Sequence, residues 1–252
     1  MRFSYRVLAL AATAALVAAC GVLPASPSPL PSDYVPATPS EVAAPQGNLS
    51  PDGFSAAQRM TVRVRNVGCD SPNTGTAFVI KTGTGFAVDA HTLVTNRHVI
   101  EGSKELQVTT YDGRTIAVTA ASATAVADLA IITTEQSIGG FAVLAQSDPV
   151  EGDAITVIGY PLGGKPTTVT GVVLGSVADP LGASLGTVMV TTAPVEPGSS
   201  GSPVLNEKGE VVGVIYAKNE SNQSFMVPVS LLRTLIAEDQ LLVPQANNCG
   251  KA

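Results

Sequence analysis

The stretch EPGSSGSPVLNEKGEVVGVIYA, Glu196 to Ala217, joins two signals that together set the fold and the chemistry. Its second half reads as a β-hairpin, with Lys208-Gly209 at the turn and apolar runs on either side. Its first half places three serines and two glycines between two prolines. A loop that only had to turn would need one Gly and one Asn. This composition instead presents a hydroxyl beside backbone amides that no side chain covers.

Outward from that stretch, short apolar runs are separated by turn residues: TVRVRNV, TAFVI, TLVTN, LAIITT, AITVIGY, TTVTGVVLGSV and TVMVTTA among them. That spacing predicts an all-β barrel or sandwich. One longer helix is expected in SLLRTLIAEDQLL, with Ser230 as its N-cap and Leu231, Leu232, Leu235 and Ile236 on one face. Aromatic residues make up 4% of the chain and tryptophan is absent, so the core must be built from Val, Ile, Leu and Ala, which suits strands. The net charge of −6 makes a basic face hard to assemble, and nucleic acid is not an expected partner.

The chain begins with Arg2 and Arg6 ahead of the apolar run Val7 to Ala19, the pattern of an export signal over residues 1–19. The run enters Cys20 through LVAAC, which resembles a bacterial lipobox, so Cys20 is expected to carry a lipid anchor that holds the protein on the outer face of the cell membrane. The alternative is a soluble secreted protein cut near an Ala-x-Ala site. Residues 20–56 read as a tether, since residues 21–52 alone hold eight of the eighteen prolines. With Cys20 acylated, Cys69 and Cys249 remain as one pair in an oxidising compartment.

A serine hydroxyl becomes a nucleophile only with an imidazole to take its proton, a carboxylate to hold that imidazole, and amide donors for the oxyanion. The chain has two histidines. His91 falls at a hairpin tip, whereas His98 in LVTNRHVI follows a strand and opens a helical turn, so His98 is the candidate base. Asp128 in AVADLAIITT starts an apolar run, where a buried carboxylate needs a partner such as an imidazole N–H. Ser200 in GSSGSP is the candidate nucleophile, with the backbone N–H groups of Gly198 and Ser200 as candidate oxyanion donors. Two histidines and three dispersed cysteines give no metal-ligand spacing, and GYPLGGKPTT lacks the ending of a phosphate-binding loop, so no metal or cofactor is expected.

In the segments GTGFAVDAHTLVTNRHVI, DLAIITT and TTAPVEPGSSGSPVLNEKGEVVGVIYA, and in the order His98, Asp128, Ser200, the sequence resembles the trypsin-like serine peptidases, most closely their bacterial HtrA/Deg-type and glutamyl-endopeptidase-type branches. The resemblance implies two packed antiparallel six-stranded β-barrels with a C-terminal helix, over residues 57–252. The N-terminal barrel would span about 57–145 and the C-terminal barrel about 146–246, with the site in the crevice between them. It further implies a serine endopeptidase acting on proteins or peptides through an acyl-enzyme. The competing expectation is a catalytically silent binding or scaffold lipoprotein on the same fold.

The resemblance also locates a specificity pocket bounded by Pro194, Val195 and the strand residues Ile215, Tyr216, Ala217 and Lys218. No aspartate stands at its base and Ile215 occupies the place of the histidine used by glutamate-specific relatives. A small or medium apolar residue before the cut is therefore expected. Ser199 replaces the aspartate that pairs with a newly cut N-terminus in animal enzymes, so activation by that salt bridge is not expected. Arg97, where the family commonly has a small residue, would line the cleft or face solvent. Only a short tail follows the helix, so delivery of substrate by a PDZ domain is not expected.

Overall fold

Among the described residues, alternation of apolar and polar positions makes antiparallel strands the main regular element, arranged in two sheets. The computed structural model describes residues 56–68, 80–184 and 186–245. The expected leader, Cys20, the tether up to residue 55, and the Cys69/Cys249 pair lie outside the described residues. A short helix α1 (Ala56–Met60) leads into the first sheet, built from β1 (Thr61–Gly68), β2 (Ile80–Ala87), β3 (Thr92–Thr95), β4 (Ser103–Thr109), β5 (Thr115–Ile116), β6 (Val118–Thr124) and β7 (Ala130–Thr134). A four-residue helix α2 (Arg97–Ile100) separates β3 from β4. The second sheet comprises β8 (Ala154–Gly159), β9 (Thr167–Ala178), β10 (Thr187–Thr191), β11 (Pro203–Leu205), β12 (Val211–Lys218) and β13 (Ser224–Pro228). Helix α3 (Val229–Ala237) and a last strand β14 (Leu242–Pro244) complete the described chain.

The second sheet closes into the six-stranded barrel that was expected, in the order β10-β13-β12-β11-β8-β9. The first differs from a plain six-stranded barrel: it holds eight strands in the order β14-β6-β7-β3-β2-β1-β4-β5. Two additions explain the number. The two-residue β5 extends the sheet beyond β4, and β14 returns from the far end of the chain to pair with β6, Leu242 opposite Thr124. Residues 242–244, which fall in the stretch assigned from sequence to the C-terminal barrel, thus belong to the first sheet. The hairpin of β11 and β12 turns at Gly209, whose φ of 77° is open to glycine, and Asn206 N–H donates to Glu210 O across it at 2.9 Å.

Burial separates into three clusters that follow from strand periodicity. Val62, Val64, Leu93, Val108 and Ile132 fill the first sheet's interior. Ile155, Val157, Val204, Ile215 and Met226 fill the second barrel. Phe86, Val94 and Leu129 from the first sheet meet Ile158, Val214, Tyr216 and Phe225 from the second, so the interface between the two is itself a core. β12 shows why VVGVIY is apolar without a break: Val212 and Ile215 point into the barrel, while Val211, Val214 and Tyr216 point to the interface.

Helix α3 seals that interface with Leu232 and Leu235, both buried. It starts one residue before the expected N-cap, with Pro228 at the cap position, because Ser230 is used differently: its N–H and its hydroxyl both donate to the Asp148 carboxylate, at 2.8 and 2.7 Å. Asp148 thereby supplies from another loop the acceptor that an N-cap side chain would provide. The helix ends at Ala237, and the remaining apolar residues of SLLRTLIAEDQLL pass through a 3-10 turn into β14.

Candidate active site

His98 lies in α2, immediately after β3, and Asp128 lies in the turn that enters β7. β3 and β7 are neighbours in register, Thr95 opposite Ala130, which brings these two turns to the same end of the sheet. The Asp128 side chain is 6% exposed and the His98 side chain 44% exposed. Asp128 Oδ2 lies 2.5 Å from His98 Nδ1, and Oδ1 accepts the His98 backbone N–H at 3.0 Å. A carboxylate beside Nδ1 keeps the proton on that nitrogen, which leaves the lone pair on Nε2, toward the exposed side of the ring.

Two asparagines that the sequence reading did not single out hold this pair. Asn96 Nδ2 donates to Asp128 O at 2.7 Å. Asn66, on β1, donates through Nδ2 to Val99 O at 2.8 Å and to Glu101 O at 3.1 Å, tying down the end of α2. Asn96 was within reach of sequence, since it stands at the cap position of TNRHVI, yet it makes no side-chain cap bond. Asn66 had no such signal. Arg97 is held by the backbone of β6, its Nη1 donating to Thr124 O at 3.2 Å.

Ser200 sits in the loop between β10 and β11, where Glu196-Pro197-Gly198-Ser199 forms a tight turn. Ser199 N–H donates to Glu196 O at 2.9 Å, and Gly198 has a φ of 96°. Proline followed by a residue at positive φ makes this a type II turn. The Pro197 carbonyl accepts from Leu162 N–H at 2.6 Å. A trans peptide points its N–H opposite to its C=O, so the Gly198 N–H faces away from Leu162. Neither the Gly198 nor the Ser200 amide has a hydrogen-bond partner among the described residues. The Ser200 hydroxyl donates to Tyr216 O at a long 3.4 Å.

The expected pocket residues divide between environments. Pro194 and Val195 line a concave pocket with Val157, Gly159, Val169 and Ser199. Ile215 points into the second barrel and Tyr216 into the interface core. Lys218, at the end of β12, reaches Glu196 across the loop wall, Nζ to Oε2 at 2.9 Å. The Tyr216 hydroxyl donates to Asp179 Oδ1 at 2.6 Å, and Asp179 Oδ2 accepts the Ser184 N–H at 2.6 Å. Burial pushes the Tyr216 hydroxyl well above the usual tyrosine range, and the hydrogen bond and charge of Asp179 add to it.

Comparisons with known proteins bear on the family and the fold. Residues 83–214 match the family described as the trypsin-like peptidase domain. HhoA of Synechocystis, a serine protease by its name, is 31% identical over 165 residues, covering 61% of this chain and 41% of its own length. The chain thus spans about two fifths of that relative. The Rv3671c protease of M. tuberculosis in its active form superposes with a TM-score of 0.65 at 23% identity, over 77% of this chain and 86% of that one. AlgW, an HtrA-type protease solved with a tripeptide, superposes with a TM-score of 0.62 at 21% identity, over 72% of this chain and 60% of that one. These two structures share the double-barrel fold with this chain. Because the family match takes in more than half of its residues, this chain belongs to the trypsin-like peptidase domain family.

Proposed function

We propose that this chain is an exported serine endopeptidase of the HtrA/Deg type, with Ser200 as nucleophile, His98 as general base and then acid, and Asp128 as the group that orients His98. The observation that carries this reading is the double hold of Asp128 on His98, at 2.5 and 3.0 Å, in the same domain as a Ser200 loop with two amides that have no partner among the described residues. The Ser200 hydroxyl turns from Tyr216 O to His98 Nε2 and gives up its proton there as Oγ bonds to the substrate carbonyl carbon. The charge that develops on the carbonyl oxygen is met by the N–H groups of Gly198 and Ser200. His98 passes its proton to the leaving amine as the C–N bond breaks, leaving an acyl-enzyme. Water then repeats the sequence through His98, and the acid is released with Ser200 restored.

Protein or peptide substrates fit this reading, as does the tripeptide named with AlgW. The primary pocket is the one lined by Pro194 and Val195 beside Ser199, and it takes a small or medium apolar residue. Export follows from the leader, with Cys20 carrying the lipid and Cys69 bridged to Cys249. Metabolic labelling with a fatty-acid analogue, lost in Cys20→Ser, tests the anchor. Non-reducing peptide mapping tests the bridge.

The catalytic reading is tested by labelling the oxidised protein with a fluorophosphonate probe. Labelling of the wild type that disappears in Ser200→Ala and in His98→Ala is expected. A folded, oxidised wild type that does not label would return the chain to the binding or scaffold reading.

A further inference from the structure

The segment KTGTGFAV carries a residue that the triad does not account for. Thr84, on β2 of the first sheet, is fully buried, yet all its polar atoms are engaged, and three of its four bonds cross to the second barrel's loops. Its N–H donates to Ser200 O at 2.7 Å. Its hydroxyl donates to Gly198 O at 2.8 Å and accepts the Tyr160 N–H at 2.9 Å. Its carbonyl accepts the Thr95 hydroxyl at 2.6 Å. One residue of the first sheet therefore holds the carbonyls on both sides of Ser199, in the loop that carries the nucleophile.

The flanking glycines show that this approach is built in. A Cβ at Gly83 would stand 2.6 Å from a Val99 methyl and 3.2 Å from Ser200 O. A Cβ at Gly85 would stand 3.0 Å from Val94 O. β2 thus passes tightly against α2, which carries His98, and against the Ser200 loop. Gly201 meets the same strand from the other side, since a Cβ there would run into Thr84 O.

We infer that Thr84 is a positioning residue for the oxyanion donors: its hydroxyl, bound to Gly198 O, fixes the Gly198-Ser199 peptide and keeps the type II turn with the Gly198 N–H facing the reacting carbonyl. Glycine at the third position of a turn also fits a type I turn with φ negative, and that conformer rotates the preceding peptide and takes its N–H away. The Leu162-Pro197 bond anchors one peptide of the turn and Thr84 anchors the next. Both must hold, because Gly198 has no side chain to limit its own rotation. The inference rests on the proposed catalytic reading, but it makes a structural claim that can be read without turnover.

The test compares Thr84→Val, which keeps the shape and removes the hydroxyl, with Thr84→Ser, which restores it. Thr61→Val serves as control, since it removes another buried hydroxyl bond, to Ala57 O, that is not made to the Ser200 loop. Fluorophosphonate inactivation separates the limiting rate from the probe's affinity. We expect the limiting rate of Thr84→Val to fall by about 10- to 100-fold with affinity within about threefold, a fraction of the loss seen when an oxyanion donor is removed outright. Thr84→Ser should stay within about threefold of wild type, and Thr61→Val should lower only the melting temperature. A folded Thr84→Val with an unchanged limiting rate, or a Thr84→Ser as impaired as Thr84→Val, overturns the inference. A crystal structure of the wild type decides independently of any variant or labelling: the Thr84 hydroxyl on Gly198 O with Gly198 at positive φ supports it, and a type II turn with that bond absent overturns it.

Discussion

The Asp128 carboxylate holds His98 at two points, Oδ2 on the ring at 2.5 Å and Oδ1 on the backbone N–H of the same residue at 3.0 Å. One side chain therefore sets both where α2 begins and which nitrogen of the ring carries the proton. In Asp128→Asn the Oδ1 bond to the backbone can survive, but an amide NH₂ facing Nδ1 forces the proton onto Nε2. We expect a folded protein with a melting temperature within a few degrees of wild type and a turnover lower by about 10⁴-fold. Circular dichroism melting and the rate of fluorophosphonate labelling measure the two effects. A variant that labels at the wild-type rate would remove Asp128 from the mechanism.

Gly198→Ala acts on the turn itself. At a φ of 96°, an added Cβ would stand 2.6 Å from Tyr160 O and 2.9 Å from Leu162 N. Strain of about 1–3 kcal/mol is expected, relieved by rotating the turn. The labelling rate should fall by at least about 100-fold. Denaturant titration gives the first quantity and inactivation kinetics the second, and normal labelling by a destabilised variant would contradict the role given to this amide.

The ion pair of Glu196 and Lys218 spans the loop wall and the end of β12 with side chains 54% and 30% exposed. So open a pair contributes little to stability, about 0–1 kcal/mol, and less in salt. Lys218→Ala should leave the melting temperature almost unchanged. Its cleavage of a peptide library should shift toward larger residues before the cut, because Glu196, which lines the pocket, is no longer held by a partner. An unchanged profile would place the pair outside the specificity machinery.

Asp179 supplies a pH signature. Burial pushes its carboxyl up, but the Tyr216 hydroxyl and the Leu181 and Ser184 amides outweigh it and hold the group below the usual carboxylate range. A depressed folded value means that the contribution to stability is full above the unfolded value, near about 4, and is lost as pH falls through the folded value. Asp179→Asn should therefore be less stable than wild type at pH 6, with the gap closing toward pH 2–3. Urea midpoints at the two pH values check this, and a gap that widens in acid would reverse the assigned sign.

Much of this was legible in the sequence because its signals are local. Strand runs, the Lys208-Gly209 hairpin and the position of His98 after β3 depend on residues next to one another. The Asp128 pairing was legible because burying a lone carboxylate is costly, so a partner had to exist. What stayed hidden depends on distant residues. Ser230 reads as a cap until Asp148 takes both its donors. Thr84 reads as an ordinary strand threonine, and only the approach of Gly198 and Ser200 gives its hydroxyl and amide a task. Tyr216 reads as a pocket wall until Asp179 draws its ring into the interface.

The pairing of β14 with β6 bears on how the protein is made. β6 is an edge of the first sheet until residues 242–244 arrive, and an open edge is a template for unwanted pairing. During synthesis that edge waits while the whole second barrel and α3 are translated, so the N-terminal half reaches its final strand count only after the C-terminal half has emerged. The two halves are thereby joined into one unit of unfolding, and a nascent chain stopped after β13 would leave its first sheet exposed to aggregation.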